Sequence, residues 1–195
     1  MEFKIYRASE DELIKGCLRR DRQAQKQLYD RYSAKMYGLC HRYVKDPMEA
    51  EDIMVTAFMK VFDKIAQFKQ EGSFEGWIKR IMINDSLAYL RKHRAMYLEI
   101  ELEQANGEPD YNSLSDHLEA EDLLKMIQLL PTGYRIVFNL YAIDGYTHKE
   151  ISDQLGISEN TSKSQLSRAR AYLQKMLAQL DATSKQKLIS NEPAT

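Results

Sequence analysis

Residues 146–180, YTHKEISDQLGISENTSKSQLSRARAYLQKMLAQL, constrain the fold more than any other stretch of the chain. They read as a short helix, a turn at Gly156 and a longer basic helix. Thr147 and Glu150 stand at capping-box spacing, in which the hydroxyl satisfies one orphan amide of the first turn and the carboxylate another. Gly156 supplies a left-handed residue to stop the short helix, and Ser158 can cap the next one. Along the long helix Leu166, Ala169, Leu173, Met176, Leu177 and Leu180 recur at helical spacing as a core stripe. Its other side carries Thr161, Lys163, Ser164, Ser167 and Arg168, with Arg170 close by. Between Asn160 and Leu180 stand four basic residues and no acidic one. Such a helix can lie in a DNA major groove, its first turns reading base edges and its later turns touching phosphates. The same spacing also suits an ordinary amphipathic αα-hairpin.

The rest of the chain leans the same way. A length of 195 residues allows one or two domains. The eight glycines and four prolines sit at seams between periodic segments, which favours an all-α protein. With 44% hydrophobic and 29% charged residues the composition is that of a globular chain, not a disordered one. MEFKIYRASEDEL lacks the apolar run of a signal peptide, and no segment approaches a membrane span, so the expected location is cytoplasmic, without membrane insertion. Cys17 and Cys40 then read as reduced, small hydrophobic residues. Cys40 adjoins His41, but no further ligand stands at zinc-like spacing, and neither a metal nor a cofactor is expected. His41, His93, His117 and His148 are scattered. With no nucleophile–base pair or paired carboxylates, no catalytic residue and no enzyme are expected.

The net charge of −1 conceals an asymmetry. Residues 1–95 hold 19 basic and 14 acidic groups, residues 96–122 hold no basic and 9 acidic groups, and residues 123–195 hold 9 and 6. A strongly acidic connector therefore joins two mildly basic blocks.

Taken in order, Leu13, Ile14, Cys17 and Leu18 mark a first short helix. Asp21 caps a longer one over 22–44, with Ala24, Leu28, Tyr32, Met36, Leu39, Tyr43 and Val44 toward the core. Asp46-Pro47 restarts the chain into a helix over about 48–66, with Ile53, Ala57, Phe58, Val61 and Ile65 inward. QFKQEGS at 67–73 is a loop, and Ser73 caps a fourth helix over about 74–93 bearing Phe74, Trp77, Ile78, Ile81, Leu87 and Leu90. Residues 96–117 lose periodicity and read as a linker. Periodicity resumes with Leu118, Leu123, Leu124, Ile127 and Leu130. Pro131 opens a helix containing Ile136, Val137, Leu140 and Tyr141, and a polar, frayed tail follows Asp181.

EAEDIMVTAFMKVF at 49–62, GSFEGWIKRIMINDSLAYLRKHR at 72–94, the acidic linker and GYTHKEISDQLGISENTSKSQLSRAR together resemble the extracytoplasmic-function (ECF) group of bacterial sigma factors. The resemblance implies two small helical domains, region 2 over 10–95 and region 4 over 118–181, joined by a linker at 96–117 and followed by a tail at 182–195. It implies an initiation subunit that binds the largest and second-largest subunits of core RNA polymerase and directs the enzyme to promoter DNA. An anti-sigma partner is implied as well.

Asp52, Val55, Thr56, Met59 and Lys60 would form the polymerase-contact face. Asp52 matches the family's acidic position, whereas Val55 and Thr56 stand where Gln and an acidic residue are usual. Phe74, Trp77, Ile81 and Asn84 fit F-x-x-W-x-x-x-I-x-x-N. For the −10 element, Gln67, Phe68, Lys69 and Ser73 would hold an unstacked base, and Lys79, Arg80, Asn84, Arg91, Lys92 and Arg94 would line the DNA. For the −35 element the contacts would be Thr161, Lys163, Ser164, Ser167, Arg168 and Arg170. Ser162 replaces a usual core Val, and Gln165 a common Arg. Two other readings stay open at this point: a helix–turn–helix regulator that does not bind core polymerase, and a helical interaction protein that does not bind DNA.

Two magnitudes favour the sigma reading. Opening about ten base pairs at roughly 1.4 kcal/mol per step costs on the order of 14 kcal/mol. Two or three captured bases at about 1–3 kcal/mol each return at most about 9. The chain must therefore work with polymerase. Elements about 25 base pairs apart lie roughly 85 Å from each other, whereas the 27 residues from Met96 to Asp122 average about 29 Å as a coil and reach about 90 Å extended. The linker must be drawn open in use.

Overall fold

In a computed structural model, residues 8–93 and 120–190 are described, all helical apart from their connections. The chain divides after Lys92 into two units. The expected linker at 96–117, Arg94, Leu118 and residues 191–195 lie outside the described residues.

In the first unit α1 (Glu10–Leu18) starts at a full capping box. The Ser9 amide donates to Glu12 Oε2 at 2.7 Å, and the Glu12 amide donates to Ser9 Oγ at 3.3 Å. A tight turn leads to α2 (Arg22–Tyr43), where Asp21 Oδ1 accepts from the amides of Gln23 and Ala24. The two helices touch at Gly16, where a Cβ would lie 2.4 Å from that of Ala24, so only glycine fits. Asp46 caps α3 (Pro47–Lys64) through the Met48 and Glu49 amides, with Pro47 in the first position where its missing N–H costs nothing. A 3-10 turn (Ile65–Gln67) precedes the loop 68–73, and Ser73 Oγ accepts from Gly76 at the start of α4 (Phe74–Lys92).

Helix α2 packs on α1, α3 and α4, and it centres a core that includes Leu28, Met36, Tyr43, Phe58, Ile78 and Met82. Two expectations need adjustment here. Leu18 is 48% exposed, because α1 ends there and turns away. Ile81 is half-buried while Met82 and Ile83 are buried, because α4 packs on both α2 and α3 and buries a wider arc than one stripe.

In the second unit α5 (Ala120–Leu129) leads through Pro131 to α6 (Thr132–Phe138), which runs into a π-type turn over Asn139–Ile143. There the Asp144 amide donates to the Asn139 carbonyl, five residues back. Gly145 (φ 79°) reverses the chain into α7 (His148–Leu155). Thr147 and Glu150 form the anticipated capping box, and Gly156 (φ 66°) ends α7 in the left-handed conformation. The Thr161 amide donates to Ser158 Oγ at 3.0 Å as α8 (Glu159–Ser190) begins.

Met126, Leu130, Ala169, Met176 and Leu180 form a core cluster, with Leu173 packed against it. Leu123 and Leu177, expected inward, are 48% and 37% exposed, and Met126 takes the inward position on α5. Helix α8 runs past Asp181 to Ser190, so the frayed tail is not what forms there. No Gly or Pro interrupts 181–190, and the first breaker is Pro193.

Candidate nucleic-acid interface

The buried stripe of α8 turns the opposite side of the helix outward. Lys163, Ser164, Ser167, Arg168 and Arg170 are exposed, and Thr161 is half-buried with its hydroxyl 2.9 Å from that of Ser158. Ser164 Oγ donates to the Thr161 carbonyl, which leaves its lone pairs facing out. Lys163 Nζ lies 3.7 Å from Glu159, a loose surface pair that water screens. The Arg170 guanidinium sits 6.0 Å over the Tyr141 ring, which anchors it beside the π-type turn. Gln165 is half-buried over Gly133 of α6, so its amide serves packing within the unit.

Two residues that sequence reasoning treated otherwise hold this helix in place. Ser162, standing where the family usually has a core Val, is fully buried, and its Oγ lies 2.9 Å from His148 Nδ1. His148, which the sequence shows only as one of four scattered histidines, is half-buried and stacks on Tyr141 at 4.4 Å and 20°. The polar pair joins α7 to α8 where an aliphatic contact would otherwise stand.

In the first unit the loop opens from an aromatic cluster. Phe68 is half-buried, edge-on to Phe74 at 5.0 Å and tilted on Trp77 at 5.7 Å, and Tyr32 meets Phe74 at 6.1 Å. Trp77 is itself half-buried, so it braces the loop and keeps one edge near solvent. Gln67, Lys69 and Ser73 are exposed, and Gln70 (φ 59°) and Gly72 (φ 94°) supply the loop's left-handed bends.

Along α4, Arg80, Asn84 and Arg91 are exposed and share one face, spaced by whole turns, with Lys92 exposed beside them. Arg91 Nε donates to the Leu87 carbonyl at 3.4 Å. Lys79 instead pairs with Glu75 at 2.9 Å, and Lys35 of α2 pairs with the same carboxylate at 2.7 Å. Hydrogen bonds from Lys35 first and then Lys79 hold Glu75 below its ordinary pKa. Part of this basic surface is therefore neutralised within the unit.

The exposed side of α3 carries Asp52, Val55, Thr56 and Met59, the last 63% exposed. Met48, which the sequence reading did not select, is 77% exposed on the same helix. Lys60 is engaged: its ammonium bonds both oxygens of Asp85 at 2.7 and 2.8 Å and ties α3 to α4. Burial pushes the Cys17 and Cys40 thiols up to about 11, which makes both inert. Among the described residues no group of His, Cys, Asp and Glu is placed to hold a metal, and no helix is long and apolar enough to cross a membrane.

A basic helix–turn–helix unit and a separate helical unit with an exposed amphipathic helix define a class of transcription protein, and comparison with known proteins agrees. Residues 28–96 match Sigma-70 region 2, and residues 120–173 match Sigma-70, region 4. The ECF RNA polymerase sigma factor SigW of Bacillus subtilis is 31% identical over 179 residues, covering 86% of this chain and 96% of that protein. The RNA polymerase sigma-H factor of Pseudomonas aeruginosa is 28% identical over 184 residues, covering 88% and 95%. The sigma factor RpoE from Bartonella quintana, solved in complex with the anti-sigma factor NepR, shares the fold at TM-score 0.51 and 21% identity, covering 78% and 96%. The chain belongs to the ECF group of the sigma-70 family of RNA polymerase sigma factors. It is a transcription initiation factor whose partners are core RNA polymerase and promoter DNA.

Proposed function

We propose that three surfaces divide the work of this sigma factor. The α3 face of Asp52, Val55, Thr56 and Met59 docks on the largest polymerase subunit, with Lys60 at its edge. The loop from Gln67 to Ser73 holds an unstacked −10 base, and Lys79, Arg80, Asn84, Arg91 and Lys92 follow the strand. The outer side of α8, from Thr161 to Arg170, reads the −35 element, and region 4 also meets the second-largest subunit. Region 2 spans 10–95, the linker 96–117 and region 4 118–181, with 182–195 beyond the DNA-reading unit. The factor works in the cytoplasm, without a catalytic activity of its own.

The observation that carries this reading is the exposure of apolar Met48, Val55 and Met59 beside Asp52 on α3, whose other side is packed into the core. A DNA-binding regulator that acts without polymerase needs no such face. The same apolar side chains, with Leu123, Ile143 and Leu177 in the second unit, support an anti-sigma factor that covers them when polymerase is absent.

Transcription in vitro with purified core polymerase across genomic DNA tests the reading. Start sites that depend on the protein are expected, and Asp52→Ala with Met59→Ala should weaken core binding by about tenfold, or about 1.4 kcal/mol. DNA binding without core binding would replace this reading with that of an independent regulator.

A further inference from the structure

The turn between α1 and α2 carries exposed Arg19, Arg20 and Arg22, with Lys15 exposed one turn earlier on α1. Among the described residues none of the four forms an ion pair. Between Lys15 and Lys26 the one acidic residue is Asp21, and its carboxylate is taken up by the Gln23 and Ala24 amides. The Arg20 amide donates to the Cys17 carbonyl and the Asp21 amide to that of Gly16, so α1 ends in a Schellman turn with Arg20 at its left-handed position (φ 59°). Glycine is the residue that position favours. The chain keeps an arginine there and holds its charge outward between two others.

Helix α1 packs on the 3-10 turn Ile65–Gln67 from which the −10 loop departs. At nine residues α1 is roughly 13 Å long, which bounds how far its C-terminal turn can stand from that contact. Lys64, exposed at the end of α3, adds a cation beside the same turn.

We propose that Arg19, Arg20 and Arg22 form a phosphate-binding surface that holds the promoter strand next to the −10 loop. The surface extends the DNA track from α4 onto the α1–α2 turn. It rests on the −10 assignment given above.

The test uses holoenzyme assembled from the full chain and core polymerase, on a promoter mapped by in vitro transcription. Arg20→Gly relieves the backbone, so it should leave thermal stability unchanged or raised. It should also lower the dependence of log affinity on log salt by about 0.7, the value for one single-strand phosphate. Arg19→Ala, Arg20→Gly and Arg22→Ala together should lower it by about 2. Between 50 and 200 mM salt, wild type should then lose about twentyfold more affinity than the triple variant. Binding of the variants to core polymerase should be unchanged.

An unaltered salt dependence in an active holoenzyme overturns the inference and leaves the sigma reading standing. A loss of core binding with unaltered salt dependence overturns it in favour of a protein contact. A wild-type chain that directs no initiation removes both.

Discussion

Among the described residues, the first unit buries apolar, sulfur-bearing and aromatic side chains with Ser86 as the one small polar exception, whereas the second buries Asp122, Arg135, Asn139 and Ser162. The first unit has a long central helix with a neighbour on three sides, and apolar area alone can hold it. Apart from its long last helix α8, the second has shorter elements and turns sharply twice between α5 and α7. Backbone groups freed at those turns need partners inside, and Arg135 supplies them. Its Nη1 donates to the carbonyls of Leu130 at 3.0 Å and Gln128 at 3.3 Å, and its Nη2 donates to Thr132 Oγ1. Helix-presenting geometry in the DNA-reading unit thus depends on polar satisfaction, and in the first unit on shape.

The largest effects should separate the two chemistries. Phe58 is 2% exposed and packs on Tyr29 at 4.9 Å and Phe62 at 6.2 Å. Phe58→Ala should cost about 3–5 kcal/mol. Urea unfolding followed by unit-specific probes should show the first transition lowered and the second in place. Arg135→Ala should do the converse at about 3 kcal/mol, since it strands two carbonyls and opens a void. A single shared transition that moves equally with both substitutions would break the distinction.

Legibility from sequence follows the same divide. In the first unit Asp21, Asp46 and Ser73 announce helix starts, and the inward set from Ala24 to Ile65 is buried as its spacing predicts. Where one stripe meets one neighbour, periodicity suffices. It falls short at α4, which is gripped from two sides, and at α5, where Met126 and not Leu123 turns inward. The candidate contacts on α8 were legible as an exposed basic side, but their supports were not. Ser162 reads only as a departure from a core Val until the fold brings His148 to it across fourteen residues, and the tie from Lys60 to Asp85 of α4 is equally absent from the spacing. Pairings between elements leave no periodic trace.

A smaller effect probes the His148–Ser162 link. Ser162→Ala removes the partner of Nδ1 and should cost about 1 kcal/mol. His148→Phe keeps the stack on Tyr141 while losing the same bond. In a double-mutant cycle the two should couple by about 0.5–1.5 kcal/mol in second-unit stability, and neither should move the first transition. Additive losses would mean that the hydrogen bond contributes nothing and that His148 holds α7 only through its stack on Tyr141 of the π-type turn.

The smallest effect lies at Glu75, and its sign is set by its two lysines. Its folded pKa is depressed below the ordinary 4.5 by Lys35 and Lys79, so the stability it contributes is present above that value and lost as pH falls through the folded one. The lysine side chains are 58% and 37% exposed, which limits the contribution to less than about 1 kcal/mol. Glu75→Gln should therefore lower the first transition slightly at pH 7, and the gap to wild type should close in acid. The same substitution frees Lys79 on the proposed −10 surface. Salt dependence of promoter binding by holoenzyme should steepen by up to about 0.9 if Lys79 then takes a duplex phosphate. A steeper dependence together with a lowered stability would show that this carboxylate restrains a DNA contact while holding α2 to α4. A stability change with no change in salt dependence would confine Lys79 to the fold and take it off the DNA track.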